Sequence, residues 1–415
     1  MNRRTARLAI IGAVIAIPVA AATQLTNRET RTTAPAAAGS SRQLTTVTQA
    51  SIAAAVRDAR AALQRSPGSS YTIRLPAGTF DISGLDGTTG GASIDLSRLD
   101  ACPGTLTIAG AGMTRTTIVT DDRLVGISGR QTSCVTIADL TMSRRKPDAT
   151  QGVVVSSTPE SVTLDVPQGF PDPASLVPEE RVVNRQGRET IRRYLKKYAQ
   201  TPAGPQAIPG RTQVMWQSAT RVPGAANRWR IDLVIRGRMP DYRPGELLGI
   251  KSKNGFDAYR FVGGQKITFS GVRWMMETRG VFRRVNNVTI QNCSIVRPAP
   301  INGVRFAMAS STGGPQIGQP TDPMTEGHVV TGNEFEGTGD DALLFAHANG
   351  VVRDNRISDT WGSAMRIYES PGLQVGTNML TRSLILREAD DKLEGDRNVG
   401  RRSRPPRADL YPDDR

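Results

Sequence analysis

Two adjacent carboxylates and a histidine lie on the segment Gly339-Asp340-Asp341-Ala342-Leu343-Leu344-Phe345-Ala346-His347. The sequence holds only 2 histidines, and the other, His328, opens the same stretch. Residues 309–327, just upstream, carry Asp322 and Glu326; downstream come Arg366, Tyr368 and Glu369. Such a set suits cleavage of a glycosidic bond, which needs one carboxyl protonated as acid and one ionised as base. Crowding supplies that split, because neighbouring like charges resist ionising together. The competing assignment is structural: an aspartate at a corner turn accepts backbone N–H groups. The candidate catalytic residues are Asp340, Asp341 and Asp322. The candidate substrate-binding residues are His347, Arg366, Tyr368 and Glu369. No Cys or His cluster has zinc-ligand spacing, and neither metal nor cofactor is expected.

A repeat must position these groups. Phe269-Ser-Gly-Val-Arg-Trp274, Ile290-Gln-Asn-Cys-Ser-Ile295, Val330-Thr-Gly-Asn-Glu-Phe335, Val352-Arg-Asp-Asn-Arg-Ile357 and Val375-Gly-Thr-Asn-Met-Leu380 share one pattern, and their starts differ by 21, 40, 22 and 23 residues. An earlier copy is Ile137-Ala-Asp-Leu-Thr-Met142. The spacing predicts stacked coils of about 22 residues, each with three short strands and an apolar face that only a neighbouring coil can bury. Like residues then form ladders about 4.8 Å apart. Asn333, Asn355 and Asn378 share one ladder position, read as structural, and Cys293 in the same register is read as a small buried residue. The fold class is all-β, a right-handed parallel β-helix with an N-terminal capping helix and an inserted β-rich domain. In the helix, Ile52, Val56, Ala59 and Leu63 fall on one face, suited to covering the open end of the stack.

The same register places the candidate site. Ala342 aligns with Ala364, Phe345 with Ile367 and His347 with Glu369. Phe345 and Ile367 point inward, while Leu344, Arg366 and Tyr368 point outward. Asp340 and Arg366 are then about 13 Å apart, too far for an ion pair, but able to line one sugar-length groove. The small Gly362 and Ser363 beside the Asp pair leave room for a ligand.

Between residues 157 and 247 the repeat disappears, and a basic run over 189–200 has helical character. From 181 to 243 there are 14 Lys/Arg and 3 Asp/Glu, a net of +11 within a chain of net +15. That charge could attract an acidic polymer or an anionic envelope surface, or be an ordinary solvated surface. With 5% aromatics and no binding motif, nucleic acid is a poor partner. Arg3, Arg4 and Arg7, the uncharged run 8–22 and its closing alanines have the order of a signal peptide; an uncleaved anchor is the alternative. Export would permit a disulfide, with Cys102 and Cys134 the plausible pair of the 3 cysteines. The expected organisation is 1–22 signal peptide, 23–45 linker, 46–157 first coils, 158–246 inserted basic domain, 247–388 later coils with the site, and 389–415 a charged, Pro-rich tail. The oligomeric state is open.

The coils resemble the pectin-lyase-type β-helix superfamily. The stretch from Gly339 to His347 is similar to the Gly-Asp-Asp-Ala…His segment of β-helical glycosidases, notably the α-1,3-galactosidase family. Polygalacturonases are a neighbour in kind, pairing Asn-Thr-Asp, Asp-Asp, Gly-His-Gly and Arg-Ile-Lys. Asp340 and Asp341 match the paired acids. Thr321-Asp322 matches the last two letters of Asn-Thr-Asp, and His347 lacks the flanking glycines. Arg366-Ile367 matches two letters of Arg-Ile-Lys, with Tyr368 where a lysine would bind a uronate. The resemblance implies an exported inverting glycoside hydrolase acting on a neutral or weakly charged poly- or oligosaccharide. The alternatives are a Ca²⁺-dependent polysaccharide lyase, with Asp340, Asp341 and Arg366 recast, and a non-catalytic glycan-binding or envelope protein.

Overall fold

The computed structural model describes residues 39–83, 91–99, 102, 104–121, 124–176, 193–208, 213–234, 241–252, 257–383 and 385–388. The expected signal peptide and the 389–415 tail lie outside these residues. No described helix is long and apolar enough to cross a membrane.

Most of the described chain forms one 21-stranded parallel sheet that winds through successive coils. One wall of the later coils stacks Gly280–Arg283, Pro315–Ile317, Leu343–Ala346, Met365–Tyr368 and Ile385–Glu388. A second wall stacks Asn286–Gln291, Thr325–Thr331, Ala348–Arg353 and Leu373–Val375. The third stacks Ser294–Ile295, Glu334–Glu336, Arg356–Ser358 and Met379–Thr381. Every pairing is parallel, so each coil covers the apolar face of the last.

The inward ladder of the first wall is Phe282, Ile317, Phe345 and Ile367, all buried. Its outward neighbours run Val281, Gln316, Leu344, Arg366 and Leu386. Burying a side chain such as Phe345 contributes about 1.5–3 kcal/mol. At one corner the asparagines pass hydrogen bonds between coils. Asn333 Nδ2 donates to Asn355 Oδ1 at 2.8 Å, and Asn355 Nδ2 to Asn378 Oδ1 at 2.9 Å. The chain continues this ladder at Cys293, whose N–H donates to Asn333 Oδ1; burial pushes its thiol up to about 12.

The helix Gln49–Arg65 begins at Thr48, where Thr48 and Ser51 each cap the other's backbone N–H. Its Ile52, Val56, Ala59 and Leu63 are buried in the same cluster as Ile73, Ile94 and Leu106 of the first coils. Strand structure starts earlier than the linker assignment allows: Ser40–Gln43 pairs with Ser70–Arg74. Cys102 and Cys134 form a disulfide.

The long strand Tyr259–Met275 stacks directly on Val125–Arg144, from Tyr259 opposite Ile127 to Met275 opposite Ser143. The chain between them leaves the stack and builds a second, antiparallel, seven-stranded sheet. That sheet runs over 149–252, wider than 158–246, because Ala149–Ser157 and Leu247–Ser252 pair with each other inside it. It closes on itself, since Arg193–Thr201 pairs with both Gln213–Arg221 and Leu247–Ser252. The expected helix over 189–200 is a strand in its described part. A helix would set Arg193 beside Lys196 and Lys197, a repulsive arrangement; the strand sends neighbours to opposite faces.

Candidate active site

Asp340 and Asp341 occupy the corner between Glu334–Glu336 and Leu343–Ala346. The corner is fixed by the backbone: Asp341 O accepts from Gly314 N, and Ala342 N donates to Ser363 O at 2.9 Å. Asp341 Oδ1 accepts from Ser363 N at 2.7 Å and from Ser363 Oγ at 2.6 Å. Its Oδ2 lies 2.8 Å from Arg366 Nε. Asp341 is only 8% exposed. Burial, reinforced by the charge of Asp340, pushes its carboxyl up; Arg366 and Ser363 oppose the shift. Asp340 is partly exposed, and its carbonyl accepts from Thr338 Oγ1 at 2.9 Å. The two carboxyls thus sit in different surroundings, which favours unequal protonation.

The space expected beside Gly362 and Ser363 is taken up by Asp341 itself. A Cβ on Gly362 would lie 2.5 Å from Asp341 Oδ1, so the glycine admits the carboxylate rather than a ligand. Arg366, in turn, is not a remote groove residue. It reaches back along the strand to Asp341, and its NH1 donates to Tyr368 Oη at 3.2 Å.

The inserted sheet forms the opposite wall. Lys251, 2% exposed, donates to Gly339 O and lies 4.2 Å from the centre of the Trp361 ring. Lys196, 5% exposed, donates to Trp361 O at 2.7 Å. Burial lowers the Lys196 ammonium to about 8, against the pull of Asp359 and Asp340. Trp361 Nε1 donates to Gln213 Oε1 at 2.6 Å, and Ala207 N donates to Asp359 Oδ1 at 2.6 Å. Arg297 pairs with both Glu336 and Asp359. Met276, Phe306, Met308 and Trp361 of the coils share one buried cluster with Leu195, Trp216 and Ile250 of the insert.

Neither lysine was singled out by sequence. The available signal was period two, Tyr194-x-Lys196-x-Tyr198, hidden within a run rich in helix-compatible charges. The charge of the insert is also largely committed. Arg193 stacks on Trp216, and Lys196 binds Trp361 O. Lys197 pairs with Glu246, Arg221 with Asp172, Arg228 with Asp165, Arg230 with Asp232 and Arg243 with Asp241.

Asp322, His347 and Glu369 gather at the other end of Leu343–Ala346, roughly 16 Å from Asp341 along the strand. Arg283 binds Asp322 in a fork, Nε to Oδ2 at 2.9 Å and NH2 to Oδ1 at 2.7 Å. This pairing holds the Asp322 carboxyl below its usual range. His347 Nδ1 donates to Asp322 O at 2.7 Å, and Nε2 donates to Glu369 one coil on. Two acceptors favour the imidazolium, and Glu369 raises the His347 pKa. The structure therefore groups the candidates in two sets. Asp340, Asp341, Arg366 and Tyr368 form one; Asp322, His347 and Glu369 form the other. His328 is buried, bonded to Thr325 and Val288 N, and lowered by burial to about 4. Among the described residues no three His, Cys, Asp or Glu side chains converge as metal ligands.

No protein-family model matches the chain, and no curated protein sequence does. Its fold is similar to the Agl-KA catalytic domain at 13% identity and a TM-score of 0.33, covering 84% of this chain and 49% of that one. It is similar to the catalytic unit of a thermostable GH87 alpha-1,3-glucanase from Streptomyces thermodiastaticus strain HF3-3 at 12% identity and a TM-score of 0.33, with the same coverage of 84% and 49%. It is also similar to the A-module of the Azotobacter vinelandii mannuronan C-5 epimerase AlgE4 at 13% identity and a TM-score of 0.26, covering 81% of this chain and 72% of that one. The chain spans about half the length of the first two.

Proposed function

We propose that this is an exported carbohydrate-active enzyme, an inverting glycoside hydrolase of a neutral or weakly charged glycan. Asp341 is the proton-holding acid and Asp340 the ionised base. The observation that carries this reading is the asymmetry of the pair: Asp341 is buried and raised, Asp340 is partly exposed and flanked by lysines of the insert. Such a split lets one carboxyl donate a proton while its neighbour activates water. Asp322 stays outside the pair, because a carboxylate forked onto Arg283 is a poor proton carrier. His347 and Glu369 brace the Asp322 loop. Arg366 holds Asp341, and a paired guanidinium does not abstract protons, so elimination by Arg366 is disfavoured.

A panel of neutral oligo- and polysaccharides, followed by reducing-end release and by NMR of the first-formed anomer, tests the proposal. Release of the inverted anomer is expected. Retention of configuration, or cleavage giving unsaturated products, would overturn it.

A second reading is favoured by how fully Asp341 is engaged. With Ser363 and Arg366 satisfying its oxygens, Asp341 can be a corner cap of a glycan-binding protein without chemistry. Glycan binding that survives Asp340→Asn, with no hydrolysis by the parent, would favour it.

A further inference from the structure

Lys196 and Lys251 come from neighbouring antiparallel strands of the insert. Tyr194 stands opposite Lys251, so Tyr194, Lys196 and Lys251 share the face turned to the corner that holds Asp340. The two ammonium groups flank Trp361, at 5.4 and 4.2 Å from its ring centre. Lys251 is committed to Gly339 O, the carbonyl just before Asp340. Asp359, the other carboxylate near Lys196, is already held by Ala207 N and Arg297. The charged or titratable groups facing Lys196 are thus Asp340, Asp359 and Arg297 from the coils and Lys251, Tyr194 and Tyr198 from the insert.

We propose that Lys196 is a positioning residue of the Asp340–Asp341 site: the inserted sheet delivers its buried ammonium against the Trp361 carbonyl, where its charge keeps the Asp340 carboxylate ionised. A buried ammonium is costly unless opposite charge is near. The coupling is reciprocal: Asp340 keeps Lys196 protonated, and Lys196 keeps Asp340 deprotonated. Burial has brought Lys196 to about 8, so its charge is sensitive to what surrounds it. The insert is then one wall of the site and sets its acid limb. The catalytic consequence rests on the hydrolase reading above; the charge coupling does not.

Lysine side-chain NMR of the full chain separates the two. Lys196, assigned by its loss in Lys196→Arg, should titrate near 8 in the parent. In Asp340→Asn its midpoint should fall by about 1 unit, the usual size of losing a close opposite charge. An unchanged midpoint in a folded Asp340→Asn protein overturns the proposal. On any glycan the parent cleaves, Lys196→Met should move the acid limb of activity to higher pH, while Lys196→Arg leaves it near the parent. A loss of melting temperature with the limb unmoved would make Lys196 merely structural and also overturn it. If the parent cleaves nothing, the hydrolase reading fails and the NMR titration still decides the coupling.

Discussion

Arg366 pairs in register with Leu344, yet its Nε lies 2.8 Å from Asp341 Oδ2, so one long side chain ties the corner aspartate to the next coil. The strand ladder alone aligns Asp341 with Ser363, and both contacts act on the same carboxylate. This arrangement joins the candidate chemistry to the packing of the solenoid.

Arg366→Met should leave Asp341 buried without its cation. Its carboxyl then rises further, and protonation becomes the way to avoid an unpaired buried charge. A carboxyl whose folded pKa exceeds its unfolded value binds protons more readily when folded, so folding is favoured as pH falls. The melting deficit of Arg366→Met against the parent should be largest near pH 8 and shrink towards pH 4. A deficit constant across that range would mean Asp341 carries no buried charge.

Glu369→Gln should remove a pH-dependent brace. Glu369 raises the folded pKa of His347. The stabilisation is therefore fully present below the unfolded histidine value, about 6.5, and is lost as pH rises through the folded value. Melting curves of the parent should show this decline and those of Glu369→Gln should lack it. Since His347 grips the Asp322 carbonyl, His347→Ala should loosen that loop, seen as faster amide exchange around Asp322.

Phe345→Asp should abolish the fold, while Leu344→Asp, one residue away on the outward face, should be tolerated. Phe345 is fully buried between Ile317 and Ile367. An unpaired charge there costs several kcal/mol. Equal melting temperatures for the two variants would contradict the assigned faces.

The coil register was legible because a solenoid repeats its own neighbours. Phe345 meets Ile367, and Asn333, Asn355 and Asn378 meet one another, at sequence offsets that recur along the chain. The Asp340–Asp341 corner was legible as a place for the same reason. Its surroundings were not. Lys251 meets Gly339 and Lys196 meets Trp361 across a non-repeating connection, which no period encodes. The strand Arg193–Thr201 was taken for a helix because Lys and Arg suit both states. Pairing on both edges, unseen from one segment, decided for the strand. The insert was expected to be dispensable after removal of 158–246. Met276, Phe306, Met308 and Trp361 pack on it, so that removal would bare an apolar patch on the coils.

Asp340→Asn tests the central claim most directly. Asp341→Asn is the less clean change, because it also deprives buried Arg366 of its partner. Asparagine at 340 keeps shape and hydrogen bonding but removes proton transfer. On a glycan cleaved by the parent, turnover per folded molecule should fall by at least about 10²-fold, within the usual range for a general acid or base, while the melting temperature holds. A parent-like turnover per folded molecule, with activity declining only as folded protein is lost, would contradict the account and leave Asp340 a corner residue.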